Sequence, residues 1–199
     1  MIVKNLSDLI HNKYFVVIIG SGPAGISTAI KLEKKKIKSL IIEAGDLEYD
    51  PKSELFLQGK IIGDKYNDLA SSRLRQFGGT SGVWGGQCNP MLKQDFDEWP
   101  IEINDLDKYA MEAREILNLK ENFYNEKLNE NLNLYNLVWS NVRFGTKYFE
   151  HIKKSKYIFL SLNTTFLDFK GENNNIQYVN CIKNNKNIII KSKYFILCC

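Results

Sequence analysis

Six consecutive residues have the composition and spacing of a turn that binds the phosphates of a dinucleotide. In such a turn the first glycine permits a tight bend, the second lets the backbone approach a pyrophosphate, and the third lets a helix pack closely on the preceding strand. A proline suits the first helical turn, because its missing N–H removes no helix hydrogen bond. Free N–H groups at the helix N-terminus would then hold the phosphate. The predicted phosphate-binding residues are Gly20, Ser21, Gly22, Pro23, Ala24 and Gly25.

An acidic residue, Glu43, follows about twenty residues after the glycine turn, at the end of the next apolar run. A carboxylate at that position accepts hydrogen bonds from the hydroxyls of an adenosine ribose and repels a 2′-phosphate. We therefore predict that Glu43 and the adjoining Ala44 bind the adenosine half of the ligand and disfavour NADP. FAD and NAD share the adenosine and the pyrophosphate, so this element alone does not separate them.

The apolar pattern predicts the elements that position these residues. Residues 14–19 are predicted to form a buried strand, 23–36 a helix with cations near its C-terminal end, and 39–43 a second buried strand. A strand, a helix and a strand within about thirty residues form a right-handed parallel βαβ unit. The predicted fold class is therefore α/β, a Rossmann-like domain with a parallel sheet.

A second glycine-rich segment spans residues 73–89 and contains five glycines, so we interpret it as a functional loop. Paired glycines let backbone N–H groups approach phosphate and ring oxygens, and Thr80 and Ser81 can donate further hydrogen bonds. Arg75 is predicted to neutralise a phosphate or to orient the loop, and Trp84 to pack rather than to catalyse. The predicted binding residues of this loop are Arg75, Gly78, Gly79, Thr80, Ser81, Trp84, Gly85 and Gly86.

The remaining pattern is less uniform. Residues 45–70 are irregular, 106–119 predict an amphipathic helix, and periodicity determines little between 120 and 156. Three β-rich runs close the sequence, at 157–169, 176–183 and 188–199, and the breaks between them at 171–175 and 184–187 predict hairpin turns. The predicted domain therefore ends in a β-hairpin or meander segment.

The second glycine loop carries a resemblance to a known family. An Arg-x-x-Gly-Gly-Thr-Ser run beginning at Arg75 is followed by Trp-Gly-Gly from Trp84, Asp-Phe from Asp95 and Trp-Pro-Ile from Trp99. This series resembles the second signature of the glucose-methanol-choline (GMC) flavoprotein oxidoreductases, in the subgroup with Trp-Gly-Gly. The run ending at Phe166 is similar to the strand whose backbone holds the adenine in that family, and residues 192–197 resemble the strand that leads into a third glycine motif.

The resemblance implies an FAD-dependent oxidoreductase that acts on a CH–OH group of a small-molecule alcohol or sugar, with hydride transfer to flavin N5. The electron acceptor is not indicated. Some relatives attach the flavin through a histidine in the second loop; residues 73–89 contain none, so FAD is expected to bind non-covalently. Residues 1–199 would be the N-terminal portion of the FAD-binding domain, incomplete at its C-terminal end, with 90–150 a mostly helical insertion that begins the substrate domain.

The catalytic base of the family is a histidine far toward the C-terminus. His11 and His151 are the histidines of this sequence, and neither matches that motif. We therefore assign no catalytic residue and expect the chain to be a fragment that lacks the base. Two other hypotheses stay open: a different two-dinucleotide flavoenzyme, such as a reductase or monooxygenase, and a stand-alone or decayed FAD-binding protein without turnover.

Composition excludes several other classes. The net charge is +4 and the lysines are spread along the chain, so no nucleic-acid partner is expected. No apolar stretch approaches the roughly 18 residues of a membrane span, and no secretory signal is present, so a cytoplasmic location is expected. The cysteines Cys88, Cys181, Cys198 and Cys199 have no metal-like spacing. We therefore expect neither a metal site nor disulfides.

Overall fold

The computed structural model describes residues 1–173 and 175–199. These residues divide into two compact units. The first unit comprises Met1–Val83 and Arg143–Cys199, and the second comprises Trp84–Val142. The first unit carries the large sheet, whereas the second is built from short elements.

The elements follow one another along the chain as short helices and strands. The helices are α1 (Leu6–His11), α2 (Pro23–Lys34), α3 (Pro51–Glu54), α4 (Leu69–Ser72), α5 (Ile103–Asp107), α6 (Ala110–Leu117) and α7 (Phe144–Lys154). The strands are β1 (Tyr14–Ile19), β2 (Ser39–Ile42), β3 (Gln87–Cys88), β4 (Asn125–Lys127), β5 (Asn133–Tyr135), β6 (Val138–Trp139), β7 (Ile158–Ser161), β8 (Thr164–Glu172), β9 (Asn175–Lys183) and β10 (Lys186–Leu197). Short 3-10 helices cover Leu55–Leu57, Gly79–Gly82 and Lys93–Phe96.

The large sheet has six strands in the order β7-β2-β1-β10-β9-β8. The first four are parallel, with Val16 of β1 facing Ser39 of β2 and Ile18 facing Ile196 of β10. The last three form an antiparallel meander. β1 is central and nearly continuously apolar, as expected for a parallel strand covered on both faces. The predicted α/β fold with a parallel sheet and a meander is therefore confirmed.

The core is assembled from residues far apart in the sequence. Val17 and Ile19 of β1 and Leu40 of β2 pack in one buried cluster with Val179 of β9 and Ile190 of β10. α2 packs on β1 and β2, and α7 packs on β7 and α2. Helices therefore cover the parallel strands, and the glycine turn follows directly where β1 ends.

One predicted run proves to be two strands with different partners. Residues 157–169 contain β7, which is parallel to β2, and β8, which is antiparallel to β9. The chain bends between them at Asn163, whose backbone is left-handed with φ of 51°. The predicted turn at 184–187 is confirmed, with Asn184 and Asn185 both left-handed. In the turn predicted at 171–175, Asn174 lies outside the described residues.

The second unit contains the helices α5 and α6 and two small antiparallel pairs, β3 with β6 and β4 with β5. The single helix predicted at 106–119 is wrong in its extent, because α5 ends at Asp107 and α6 begins at Ala110. Asn118, in the left-handed conformation, ends α6. Part of the 90–150 range, from Arg143 onward, belongs to the first unit. That this range begins a substrate domain stays a prediction.

Within the described part of the chain, no helix is both long and apolar enough to cross a membrane.

Candidate dinucleotide site

Two glycines of the first turn are required by the fold itself. Gly20 has φ of 99°, and a Cβ there would lie 2.8 Å from the carbonyl oxygen of Cys198. A Cβ on Gly25 would lie 2.0 Å from the carbonyl oxygen of Gly20. The tight bend and the close packing of α2 therefore both depend on glycine, as the turn pattern predicts.

Gly22 differs, because the fold does not require it. Its backbone is ordinary, with φ of −67° and ψ of −175°, and a Cβ there would meet no atom within 4 Å. Gly22 nevertheless lines a cavity, as does the exposed Pro23 beside it. A glycine kept where a side chain would project into open space leaves room for a ligand to contact the backbone, which fits a pyrophosphate.

The cavity measures about 720 Å³ and lies where β1 and β2 end. Ligands of doubly wound α/β proteins bind at this edge, outside the carboxyl ends of the strands. The cavity brings together residues from both predicted glycine segments and from β8. The predicted site residues that line it are Gly20, Ser21, Gly22, Pro23, Glu43, Ala44, Arg75, Gly79, Thr80 and Phe166.

Glu43 is 7% exposed and ties three backbone segments together. One carboxylate oxygen accepts hydrogen bonds from the backbone N–H and the hydroxyl of Ser21, and the other accepts from the N–H of Gly45 at 2.8 Å. The Ser21 hydroxyl also accepts a hydrogen bond from the N–H of Gly78 at 3.2 Å. Glu43 is thus already held by protein donors, and its role toward a ribose stays a prediction.

The second glycine loop backs directly onto the first turn. Gly78 and Gly79 have φ of 91° and 58°, and a Cβ on Gly79 would lie 3.1 Å from the Cα of Gly22. Ser81 is buried; its hydroxyl donates to the carbonyl of Gly78 at 2.6 Å and accepts from the N–H of Phe144 at 3.1 Å. The Ser81 hydroxyl therefore shapes the loop, whereas Thr80 lines the cavity.

The Arg75 guanidinium bridges α3 and β8. It donates to the Ser53 hydroxyl at 3.0 Å and to the Thr165 hydroxyl at 2.9 Å, and lies 4.5 Å from the centre of the Phe56 ring. The backbone N–H of Arg75 donates to the buried Glu54 carboxylate at 2.9 Å. Of the two roles predicted for Arg75, these contacts favour orientation of the loop over direct neutralisation of a phosphate.

Some predicted binding residues do not line the cavity. Ala24 is exposed and is not among the lining residues. Trp84, Gly85 and Gly86 belong to the second unit. The indole N–H of Trp84 donates to the carbonyl of Val142 at 2.9 Å, in keeping with the predicted packing role. Gly86 has φ of 78°, and a Cβ there would lie 2.1 Å from the carbonyl oxygen of Ser140. Gly85 shows no such constraint, since a Cβ would meet no atom within 4 Å.

The sequence patterns missed several residues that shape the site. A Cβ on Gly45 would lie 2.1 Å from the carbonyl oxygen of Arg75, and a Cβ on Gly145 would lie 2.5 Å from that of Phe77. Because Gly45 directly follows the predicted residues Glu43 and Ala44, the sequence could have indicated that it shapes the site. Gly145 is not part of any recognisable motif. Further lining residues not predicted are Leu57, Leu69, Leu74, Gln76, Thr164, Thr165, Cys198 and Cys199.

Neither histidine lines the cavity. His151 is exposed and hydrogen-bonds to Glu33, and the His11 ring nitrogen contacts the carbonyl of Ser7. Cys88, Cys181, Cys198 and Cys199 are all free thiols.

No family model matches this sequence, and no curated protein matches it. Among solved structures, the fold is similar to that of pyridoxine 4-oxidase from Mesorbium loti, with a TM-score of 0.58 and 16% sequence identity. The match covers 94% of this chain and 49% of that protein, so the chain spans about half the length of the structure it matches. The likeness supports the α/β fold described above.

Proposed function

We propose that this chain supplies the FAD-binding part of an oxidoreductase of the GMC type, which acts on a CH–OH group of an alcohol or sugar. One observation carries the proposal. The cavity at the ends of β1 and β2 joins the Gly20–Gly25 turn to the second glycine loop, and Gly22 faces it although the fold does not require glycine there.

The residues present fit a dinucleotide. A cavity of about 720 Å³ lies within the range of roughly 300–1,000 Å³ typical of small-molecule sites. Gly22 immediately precedes the N-terminus of α2, where free N–H groups and the helix dipole favour a phosphate. Glu43 and Phe166 line the same cavity and would hold the adenosine half, through the carboxylate and through backbone groups respectively.

The choice of FAD over NAD depends on the second glycine loop. Gly79 of that loop lines the same cavity as Gly22, and a Cβ on Gly79 would lie 3.1 Å from the Cα of Gly22, so a ligand on the first turn would also meet the second loop. The resemblance of this loop to the GMC signature favours a flavin, and the fold neighbour is by name an oxidase. Bound flavin would accept the hydride of a carbinol carbon. Binding is proposed to be non-covalent, since no histidine lies between residues 73 and 89.

The substrate and its proton acceptor are proposed to lie with other parts of the protein. His11 and His151 do not line the cavity, so we assign neither of them a catalytic role.

A substitution at Gly22 tests the proposal. The residue before a proline is restricted to extended backbone, which Gly22 already adopts, so Gly22→Val should fold normally. Its side chain would occupy the space kept for the pyrophosphate. We expect the wild type to quench flavin fluorescence on binding FAD, and Gly22→Val to raise the dissociation constant at least about tenfold, with an unchanged melting temperature.

Gly59→Val is the matched control, because a Cβ at Gly59 also meets no atom within 4 Å and Gly59 does not line the cavity. It should bind FAD like the wild type. Titration with NAD in place of FAD separates the two dinucleotides. Saturable NAD binding without FAD binding, or equal FAD affinity in both valine variants, would contradict the proposal.

A further inference from the structure

Lys183, the last residue of β9, is 6% exposed, and the two groups that accept its hydrogen bonds are uncharged. Its ammonium donates to the carbonyl of Leu162 and to the hydroxyl of Thr164, the latter at 3.2 Å. Lysine is almost never fully buried without a partner of opposite charge, because removing an ammonium group from water is costly. Burial lowers the pKa of Lys183 and the negative charge of Asp46 partly opposes this effect, but the hydrogen bonds of the ammonium go to uncharged groups of the neighbouring bend.

The partners of Lys183 form a closed polar network at the bend between β7 and β8. The hydroxyls of Ser161 and Thr164 lie 2.8 Å apart, and Thr164 donates to the carbonyl of Leu162 at 3.0 Å. Both hydroxyl residues are buried. Asn163, at the tip of the bend, has a left-handed backbone, and its side chain donates to Asp46 at 2.8 Å. Lys183 thus binds the bend on its buried side and Asp46 binds it on the exposed side.

This bend forms one wall of the dinucleotide cavity. The N–H of Thr164 donates to the carbonyl of Glu43 at 2.8 Å, and the N–H of Asn163 donates to the carbonyl of Gly45 at 3.0 Å. Thr164, Thr165 and Phe166 line the cavity immediately after the bend. Whatever fixes the bend therefore also fixes the wall beside Glu43.

We propose that Lys183 is a positioning residue for the adenosine half of the cavity: through Leu162 and Thr164 it holds the β7–β8 bend against Glu43. An apolar side chain of similar length would fill the space without a desolvation cost, but it would remove one of the two donors to the Leu162 carbonyl and the link from β9 to Thr164. Buried polar networks help to specify one conformation of the chain, and here that conformation is the wall of the cavity. The inference rests on the proposed dinucleotide function.

The test compares Lys183→Met with Lys186→Met in the full chain. Lys186 faces Lys183 across the β9–β10 pair but is exposed, so its substitution removes a charge nearby without touching the bend. The probes are ADP, which carries the adenosine and the pyrophosphate without the flavin, and FAD. We expect Lys183→Met to raise both dissociation constants by about the same factor, roughly tenfold, and Lys186→Met to leave both unchanged. The visible spectrum of bound FAD should be the same in all three proteins.

Further measurements separate positioning from stability alone. Lys183→Arg retains a buried donor and should recover part of the ADP affinity at a temperature where every variant is folded. A lower melting temperature for Lys183→Met with unchanged ADP affinity would overturn the inference. If Lys183→Met does not fold, Lys183→Gln replaces it with the same expectation. If the wild type binds neither ADP nor FAD, the proposed function itself fails, an outcome distinct from equal affinities among variants.

Discussion

Ser21 donates two hydrogen bonds to the carboxylate of Glu43, one from its backbone N–H at 3.0 Å and one from its hydroxyl at 2.5 Å. The same hydroxyl accepts a hydrogen bond from Gly78. One serine thus joins the turn after β1, the end of β2 and the second glycine loop. This relationship makes Glu43 a structural residue as well as a candidate ligand contact.

Replacement of Glu43 by glutamine should therefore destabilise the fold even without ligand. The amide keeps the size of the side chain but presents an NH₂ group to donors of Ser21 or Gly45. Because hydrogen bonds to a charged acceptor contribute roughly 1.5–3 kcal/mol, we expect the free energy of unfolding to fall by about 1–3 kcal/mol in urea titrations. Glu48→Gln, at an exposed position, should change it by less than about 0.5 kcal/mol. Equal stability of the two variants would show that the Ser21 contacts contribute little.

Gly145→Ala should destabilise the protein, although helix propensity alone predicts the opposite. Alanine is favoured over glycine in helices by about 1 kcal/mol. A Cβ at Gly145, however, would lie 2.5 Å from the carbonyl oxygen of Phe77, and overpacking costs typically about 1–3 kcal/mol. We expect a net loss of about 1–2 kcal/mol by urea denaturation, against no loss for Gly59→Ala. A more stable Gly145→Ala would mean that α7 can move away from the loop freely.

Lys183 is expected to make the free energy of unfolding depend on pH in the alkaline range. Burial lowers the pKa of Lys183 below its ordinary value of 10.5. Between the lowered pKa and 10.5, the unfolded chain binds more protons at this residue than the folded one, so the contribution of Lys183 to stability rises with pH. The free energy of unfolding of the wild type should therefore rise relative to that of Lys183→Met as the pH approaches 10.5. Urea titrations at a series of pH values should show that the difference in unfolding free energy between the two proteins changes with pH. A difference that stays constant up to pH 10.5 would contradict the lowered pKa.

The cysteines should react in an order set by burial. Burial raises the pKa of the Cys181 thiol to about 12, and the thiolate is the reactive form. Cys199 is exposed. In a native sample, Ellman's reagent should modify Cys199 first and leave Cys181 unmodified until denaturant is added. Cys199→Ser should remove the first phase, and peptide mass spectrometry should locate the label. Native labelling of Cys181 at the rate of Cys199 would show that β9 opens readily.

Local patterns predicted the first part of the fold well. β1 has the predicted bounds, β2 differs from the prediction at one end, and α2 ends at Lys34 rather than at residue 36. The predictions of these elements were correct because each depends on a signal that lies within a few residues: a continuous apolar run, the glycine turn, or the cations at the end of the helix. The segment 73–89 includes several residues that line the cavity, but its role as a binding loop stays a prediction, and the partners of its side chains were not predicted.

The predictions were wrong or incomplete where the structure of a segment depends on contacts with residues far away in the sequence. The run at 157–169 looks uniform in sequence, yet β7 pairs with β2 while β8 pairs with β9, and only the left-handed Asn163 separates them. The contacts of Arg75 with Ser53 and Thr165 could not be predicted, because both partners lie far from it in sequence. The need for glycine at position 145 arises only from the packing of α7 against Phe77 of the second glycine loop.

The position of β1 between β2 and β10 determines when a newly made chain could first bind a ligand. Ser192 and Tyr14 are joined by a hydrogen bond across 178 residues, and Thr165 and Phe166 complete a cavity that begins at Ile19. Synthesis must therefore pass β10 before β1 gains its second neighbour, and closure of such long loops is slow. Until then β1 keeps one unpaired apolar edge, so the cavity is incomplete and the strand is open to wrong pairing and aggregation.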